Sequence, residues 1–235
     1  MYLKDSQFFL PAAAASPPAP PQEQLQAPQQ EFLALAAKRG LDIAGALLFI
    51  ALFLPVYAAV AIGIRLSSPG PVLFSQKRVG LNGRLFEFYK FRSMLSEPDN
   101  LLRSLLDKDD EARQLWEAYQ KLENDPRIHP FGRFIRKYSL DELPQMWNVL
   151  KGDMSLVGPR PCLQDQQGFY ANRWRLYCST RPGLTGLWQV SGRNRLTYAE
   201  RVYMDGRYVT EWSLWLDAKI LLKTVKVVLT GDGSR

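Results

Sequence analysis

The sequence contains few of the residues from which disulfide frameworks and zinc sites are built. It has two cysteines, Cys162 and Cys178, and one histidine, His129, among 235 residues. Two cysteines are too few for a disulfide framework, and the first residues lack the apolar core and cleavage site of a secretory signal, so we expect a reducing environment. A structural zinc site or a Ser-His-Asp triad would need an unusual arrangement of residues. The chemistry is therefore expected to depend on carboxylates and basic side chains.

Acidic residues are also fewer than basic ones. The chain has 23 acidic and 30 basic residues, which gives a formal net charge of +7 at pH 7. This excess indicates an anionic partner, either nucleic acid, acidic lipid or a phosphate-rich substrate. Residues 11–30 consist almost entirely of Ala, Pro and Gln and offer little apolar area to offset the entropy lost on ordering. We predict a disordered tail over residues 1–30.

Charge is absent from one long apolar run. Residues 43–64 contain no charged side chain and are long enough to cross a hydrocarbon core about 30 Å thick. Lys38 and Arg39 precede the run and Arg65 follows it, which draws both ends toward the cytoplasm. Pro55 predicts a kink in mid-run. These features favour a re-entrant helical hairpin; a kinked transmembrane helix and the core helix of a soluble protein are the alternatives.

The rest of the chain predicts a mixed fold. Residues 72–91 are rich in strand-forming residues, and residues 80–83 supply the turn of a β-hairpin. Residues 100–122 have the pattern of an amphipathic helix. Residues 212–229 carry lysines at helical spacing together with large apolar side chains. This pattern indicates either a helix in the lipid headgroup region or a core helix with one solvated face. We predict a mainly helical α+β fold, with an apolar membrane helix at residues 31–66 and a second domain at residues 67–235.

Two adjacent acids, Asp141 and Glu142, follow a cluster of basic residues. A phosphoryl-transfer site needs cations to hold phosphate oxygens and a carboxylate to attack or to bind metal. Ser139 and Glu142 also match the S-x-x-E pattern of a helix capping box, although Pro144 is better suited to a helix that begins one or two residues later. In both cases the acids lie at a helix N-terminus, where negative charge is favoured.

Two further segments carry groups that bind phosphate. In residues 157–161, two prolines restrict the backbone around Arg160 and present its guanidinium at low entropic cost. Residues 181–195 add glycine turns together with Gln189 and Arg193. Each segment alone could be a solvated loop, the usual location of surface arginines. Together they predict an anion pocket.

Four motifs in this order resemble one known family. They are KFRSM at residues 90–94, SLDELPQ at 139–145, GDMSLVGPRP at 152–161 and RPGLTG at 181–186. The sequence from about Lys38 to the C-terminus is similar to the bacterial sugar transferase family, the monotopic polyprenol-phosphate phosphoglycosyl transferases. The C-terminal part looks closest to members that transfer a hexose, galactose or glucose.

The resemblance implies an activity and a set of residue roles. It implies transfer of a sugar-1-phosphate from a UDP-sugar to undecaprenyl phosphate with Mg²⁺ and release of UMP, as the first membrane step of exopolysaccharide, capsule or O-antigen synthesis. It also implies that residues 31–66 form a re-entrant membrane helical hairpin. Residues 67–235 would form a catalytic domain with amphipathic interfacial helices at the cytoplasmic face of the bacterial inner membrane. Asp141 would attack to form a phosphosugar-aspartyl intermediate, and Glu142 would bind Mg²⁺ or assist proton transfer. The expected partners are the donor, the lipid acceptor, the inner membrane and a second copy in a homodimer, but not nucleic acid. The predicted substrate- and phosphate-binding residues are Lys77, Arg78, Lys90, Arg92, Arg133, Arg136, Arg160, Arg181, Gln189 and Arg193.

Two other classes of protein compete with this hypothesis. A nucleic-acid-binding protein is suggested by the basic charge and by aromatic residues near arginines, but the long apolar run argues against it. A non-catalytic membrane scaffold needs only the hydrophobic anchor. The scaffold hypothesis predicts that Asp141→Asn is harmless, whereas the transferase hypothesis predicts loss of UMP release.

Overall fold

A computed structural model describes most of the chain. The described residues are 29–95, 98–119, 122, 125–192 and 196–230. The predicted disordered tail lies outside these residues, apart from its last two, which begin the first helix. Arg193 also lies outside them. The division of the chain into tail, membrane helix and catalytic domain remains a prediction.

The described residues form a mainly helical fold with two small sheets. β1 (Leu73–Val79) and β2 (Leu85–Phe91) form an antiparallel hairpin in which Leu73 is opposite Phe91. β3 (Ser155–Val157) pairs in parallel with β4 (Gly183–Thr185). The predicted hairpin is confirmed, and its turn uses the positive φ angles of Asn82 (56°) and Gly83 (74°). The helices are α1 (Gln29–Ser67), α2 (Pro98–Leu106), α3 (Asp110–Tyr119), α4 (Pro130–Lys137), α5 (Gln145–Lys151), α6 (Gln167–Tyr170), α7 (Trp174–Cys178), α8 (Tyr198–Thr210) and α9 (Leu214–Thr230).

The apolar run forms part of α1, a continuous helix that includes Pro55. Among the described residues, α1 is the one helix that is long and apolar enough to cross a membrane. Only 11% of its most apolar stretch is buried in the protein, and large side chains such as Leu48 and Leu52 are about 70% exposed (70% and 69%). This exposure argues against the core helix of a soluble protein. The length, composition and exposure of α1 indicate a membrane protein.

Charged residues anchor the first part of α1 to the globular part of the chain. Lys38 Nζ lies 2.6 Å from Asp217 Oδ2 at the start of α9. Asp42 is 4% exposed, and its carboxylate accepts a hydrogen bond from the backbone N–H of Leu156 in β3 at 2.9 Å. Both charges are therefore satisfied by protein partners before the long apolar run begins.

The last part of α1 packs on the same globular part. Val60 and Ile64 are buried in a cluster that includes Ile135 of α4. The Tyr57 hydroxyl donates to the Leu143 carbonyl at 2.6 Å, which ties the helix to the segment before α5. From Lys38 to Ile64 an α-helix rises about 40 Å. Over this length the helix has one face on the protein and another left exposed.

The single amphipathic helix predicted at residues 100–122 was wrong. The structure has two helices there, α2 and α3, separated by a short turn. The Asp109 carboxylate accepts from the backbone N–H of Ala112 at 2.9 Å and so begins a new helix. Arg113 donates to the Leu106 carbonyl at 2.6 Å, which satisfies an acceptor at the end of α2.

The predicted C-terminal helix is confirmed as α9, and it has two faces. Ile220 is 1% exposed and packs with Tyr208 and Val157. Trp215 and Leu222 are 65% and 70% exposed, and the lysines of the helix are exposed as well. The helix thus contributes to the core on one side and presents a mixed apolar and basic surface on the other.

Candidate active site around Asp141 and Glu142

The two adjacent acids lie on a short 3-10 turn between α4 and α5, Leu140–Glu142. Ser139 has a left-handed backbone, φ 56°, and its side chain makes no capping hydrogen bond, so the capping box does not form. α5 begins only at Gln145 with Pro144 as its N-cap, which is later than the shift of one or two residues predicted from Pro144, so the acids precede the helix. A non-glycine residue with positive φ costs roughly 1–3 kcal/mol and persists where its surroundings hold it. The backbone before the acids is therefore held in an unfavourable conformation.

Two cations from distant parts of the chain meet the acids. Lys90, on β2, places Nζ 2.8 Å from Glu142 Oε1 and 3.4 Å from Asp141 Oδ2. Arg160, in the loop after β3, places Nη2 3.4 Å from the same oxygen of Glu142. The side chains of Asp141, Lys90 and Glu142 are 6%, 18% and 19% exposed, so these three charges are largely shielded from water, whereas the Arg160 side chain is 38% exposed. The predicted convergence of bases on the two acids is present for these two residues.

The surroundings shift the two carboxyl groups in opposite directions. Burial raises the pKa of Asp141, and the charge of Lys90 only partly opposes this because the neighbouring Glu142 charge raises that pKa further. Burial alone would also raise the pKa of Glu142, but Lys90 and Arg160 outweigh it and lower that pKa to about 2. Glu142 is thus ionised at any physiological pH, while Asp141 is the more basic group. Two adjacent carboxyl groups with pKa values shifted in opposite directions are typical of sites where the two acids have different roles.

Other predicted binding residues lie at varying positions around the acids. The charge of Arg136, on α4, lowers the pKa of Asp141 and therefore acts on the site from nearby. Lys77 and Arg133 are exposed. Four residues instead use their side chains to bind backbone carbonyl groups. These are Arg78 on Pro161 (3.2 Å), Arg92 on Pro69 (2.6 Å), Arg181 on Gly152 (2.9 Å) and Gln189 on Leu184 (3.3 Å).

These backbone contacts change the role expected for two arginines. Arg92 is buried and bridges the carbonyls after α1, so it fixes the turn that leads into the hairpin. Arg78 holds the carbonyl next to Arg160 and so fixes the loop that carries this cation to Glu142. Both residues act on the geometry of the site through the backbone in this structure.

A buried acid behind Arg160 was missed by sequence reasoning. Asp205, on α8, is 2% exposed and accepts from the Tyr170 hydroxyl at 2.9 Å. Burial raises its pKa to about 8, and Tyr170, Arg160 and Arg201 offset only part of this effect. The guanidinium groups of Arg160 and Arg201 lie 6.0 and 5.0 Å from the ring centroid of Trp188. No sequence signal marked Asp205, because its partner Tyr170 lies 35 residues away and the two meet only in the tertiary fold.

Comparison with known proteins decides the family of the chain. Residues 33–231 match the bacterial sugar transferase family. The chain belongs to this family. An undecaprenyl-phosphate galactose phosphotransferase of Salmonella typhimurium is 56% identical over 165 residues, which are 70% of this chain and 35% of the relative. A UDP-galactose-lipid carrier transferase of Erwinia amylovora is 48% identical over 197 residues, 84% of this chain and 41% of the relative.

A shorter member of the bacterial sugar transferase family matches over most of its length. The exopolysaccharide production protein ExoY of Rhizobium meliloti is 42% identical over 198 residues, 84% of this chain and 88% of the relative. The chain spans less than half of the Salmonella and Erwinia relatives, at 35% and 41% of their lengths. The region shared by these bacterial sugar transferases includes both acids and the cations around them.

The acidic side chains of this sugar transferase determine how it could hold the expected Mg²⁺. Among the described residues, no group of three or more His, Cys, Asp or Glu side chains is arranged to hold a metal ion. The paired carboxylates of Asp141 and Glu142 supply the oxygen ligands that Mg²⁺ prefers, and Mg²⁺ is commonly held by one or two carboxylates together with substrate phosphates and water. The site therefore fits a magnesium ion shared with a phosphate group, and not a cage made by the protein alone.

Proposed function

We propose that this chain transfers a hexose-1-phosphate from a UDP-sugar to undecaprenyl phosphate and releases UMP. The observation that carries the proposal is the buried pair of unlike carboxylates, Asp141 and Glu142, held by Lys90 and Arg160. The relatives support the substrates, since their names include galactose and glucose transfer to undecaprenyl phosphate. The name of ExoY supports a place in exopolysaccharide production. The proposed transfer would be the first membrane step of that synthesis.

Asp141 is the proposed nucleophile. Its carboxylate oxygen attacks the phosphorus that bears the sugar, a P–O bond to that phosphorus breaks, and UMP departs with the bonding electrons. A phosphate oxygen of undecaprenyl phosphate then attacks the same phosphorus and releases the Asp141 carboxylate, which is regenerated unchanged. The raised pKa of Asp141 supports this role, because a more basic carboxylate is the stronger nucleophile once ionised. A covalent route lets a water-soluble donor and a lipid acceptor use one site in succession.

The neighbouring groups stabilise charge during this transfer. Lys90 and Arg160 lie where they can move from the carboxylates to the phosphate oxygens of a bound donor. Glu142, with its pKa lowered to about 2, would hold Mg²⁺ together with the donor phosphates. When bound, this metal would neutralise the charge that develops on the departing UMP.

We also propose that α1 enters and leaves the membrane on the same, cytoplasmic, side of the inner membrane. The support is that the Lys38 end and the Ile64 end of the helix both contact the same globular part of the chain. A helix crossing a hydrocarbon core about 30 Å thick would carry its ends to opposite sides. Pro55 removes one helical hydrogen bond in the middle of the apolar run, which is where a bend of this helix would be favoured. A homodimer remains a prediction.

The proposed reaction is tested by UMP release from UDP-galactose and UDP-glucose, with undecaprenyl phosphate and Mg²⁺. We expect Asp141→Asn to lower turnover by roughly a thousandfold or more, because the amide cannot attack phosphorus. Asp165→Asn, the same change at an exposed acid, is the matched control and should keep wild-type turnover. Wild-type turnover in Asp141→Asn would instead support a non-catalytic scaffold. Without acceptor, mass spectrometry should detect a hexose phosphate on Asp141 of the wild-type protein.

A further inference from the structure

One face of α4 carries a row of three aromatic rings. The ring centroids of Phe131 and Phe134 are 5.8 Å apart, and those of Phe134 and Tyr138 are 5.2 Å apart. Phe134 and Tyr138 are 49% and 38% exposed, whereas the neighbouring Ile135 is fully buried. Residues three and four apart lie on the same face of a helix, so the three rings form a continuous apolar strip. We call Phe131, Phe134 and Tyr138 the aromatic row.

The aromatic row joins the apolar helix to the catalytic turn. At one end, Phe131 packs so closely on Gly63 of α1 that a Cβ atom at this glycine would overlap the ring. At the other end, Tyr138 is the C-cap of α4 and immediately precedes Ser139, where the turn that carries Asp141 begins. An apolar molecule lying on the row would thus have one end at the apolar helix and the other at the start of the turn that carries Asp141.

Exposed cations accompany the aromatic row. Arg133 and Lys137 are both exposed on α4, one turn apart. Lys137 Nζ lies 5.5 Å from the ring centroid of Tyr138, so its charge is at the catalytic end of the row. A surface with an apolar strip and adjacent positive charge complements a ligand with an apolar chain and an anionic head.

We propose that the aromatic row binds the isoprene units nearest the phosphate of the polyprenyl phosphate acceptor. This inference rests on the proposed function, since that reaction requires a lipid phosphate to reach Asp141 while its chain stays in an apolar environment. Isoprene units are flat at each double bond and pack well on aromatic rings, which present large apolar faces. Lys137 and Arg133 attract the phosphate as it approaches the phosphosugar-enzyme.

Phe134→Ala in the full chain tests the proposal. The KM for undecaprenyl phosphate should rise roughly tenfold, because much of the ring's apolar contact with the acceptor is lost. The KM for the UDP-sugar should change little, and Phe134→Tyr should restore most of the acceptor affinity. Phe169→Ala is the matched control, since this ring is 52% exposed and lies on α6 beside Tyr198. It should leave both KM values unchanged.

A second measurement separates acceptor binding from general membrane contact. Phe134→Ala should raise the KM for geranyl phosphate, which has two isoprene units, by a factor similar to that for undecaprenyl phosphate. Geranyl phosphate contains the units nearest the phosphate but little chain to hold it in a bilayer. An unchanged acceptor KM in Phe134→Ala would overturn the proposal. So would weaker binding to phospholipid vesicles with a normal acceptor KM for the bound enzyme, because the row would then contact only the bilayer. Absence of UMP release by the wild-type protein would instead refute the proposed function itself.

Discussion

At the scale of single residues, Lys90 is the group that links the two acids. It contacts both carboxylates, and it is the largest of the charge effects that oppose burial at Asp141 and at Glu142. Despite this shared cation, the pKa of Asp141 is raised and that of Glu142 is lowered. The difference arises because Arg160 also lowers the pKa of Glu142, whereas at Asp141 the charge of Glu142 adds to the effect of burial. Removal of Lys90 should therefore act on both acids.

We predict that Lys90→Met moves the acidic limb of the pH–activity profile to higher pH. Loss of the cation raises the pKa of Asp141 further, so a smaller fraction of this nucleophile is ionised at any pH below its pKa. Activity should rise with pH in both proteins, but the rise should occur at higher pH in the variant. The measurement is single-turnover UMP release as a function of pH, with Lys108→Met at an exposed lysine as the control. An identical acidic limb in Lys90→Met would show that Asp141 does not titrate in the rate-limiting step.

Asp205 gives a second prediction, on stability. Burial raises its pKa to about 8 in the folded protein, against about 3.9 in an unfolded chain. Between these values the folded state holds a proton that the unfolded state has lost, so stability falls as the pH rises from about 4 to about 8 and the loss is complete above that range. Asp205→Asn keeps an acceptor for Tyr170 and removes this titration.

We therefore expect Asp205→Asn to be more stable than the wild-type protein at pH 8, and to gain much less at pH 5. Thermal unfolding at several pH values in one detergent measures the difference. Asp165→Asn should follow the wild-type curve, because that acid is exposed. A stability difference that is constant from pH 5 to pH 8 would mean that Asp205 is already ionised in the folded protein.

At the scale of elements, the position of α4 depends on a glycine. A Cβ atom at Gly132 would overlap the backbone carbonyl of Ser93, which leads out of the β-hairpin. We predict that Gly132→Ala forces α4 outward and lowers the free energy of unfolding by roughly 1–3 kcal/mol, as overpacking commonly does. Gly40→Ala is the control, because nothing lies within 4 Å of the added methyl in α1. Its stability should be unchanged or raised. The measurement is the thermal midpoint, and equal midpoints for the two variants would contradict the prediction.

The helices and strands also show which parts of the fold could be predicted from the sequence. The hairpin was predictable, because residues 80–83 have turn chemistry that acts locally. The break between α2 and α3 was not, because Asp109 looks like one more charge on an amphipathic face until its carboxylate is seen to cap Ala112. The acids and Arg160 were found from motifs. That Arg92 binds carbonyl groups was not predictable, since its partners lie 23 and 24 residues away and are set by the tertiary fold.

At the scale of the whole molecule, the topology of α1 can be tested by labelling. Ala36→Cys and Ser67→Cys lie at exposed positions on either side of the apolar run. In a Cys178→Ser background, where Cys162 is buried, an impermeant maleimide should label neither position in intact cells and both in inverted membrane vesicles. Both ends of the helix contact the same globular part, which is the reason for this expectation. Labelling of one position from outside the cell would establish a transmembrane helix.

The ion pair between Lys38 and Asp217 has a consequence for the way the protein is made. Its two residues are 179 positions apart in the chain. At a translation rate of roughly 5–20 residues per second, α1 emerges about ten to forty seconds before the partner of its lysine exists. During this interval the helix can associate with lipid, but the contacts at its first charged turn cannot form. α1 is therefore available to lipid before the domain that finally holds it can fold, and synthesis of α9 sets the earliest moment at which the native arrangement is complete.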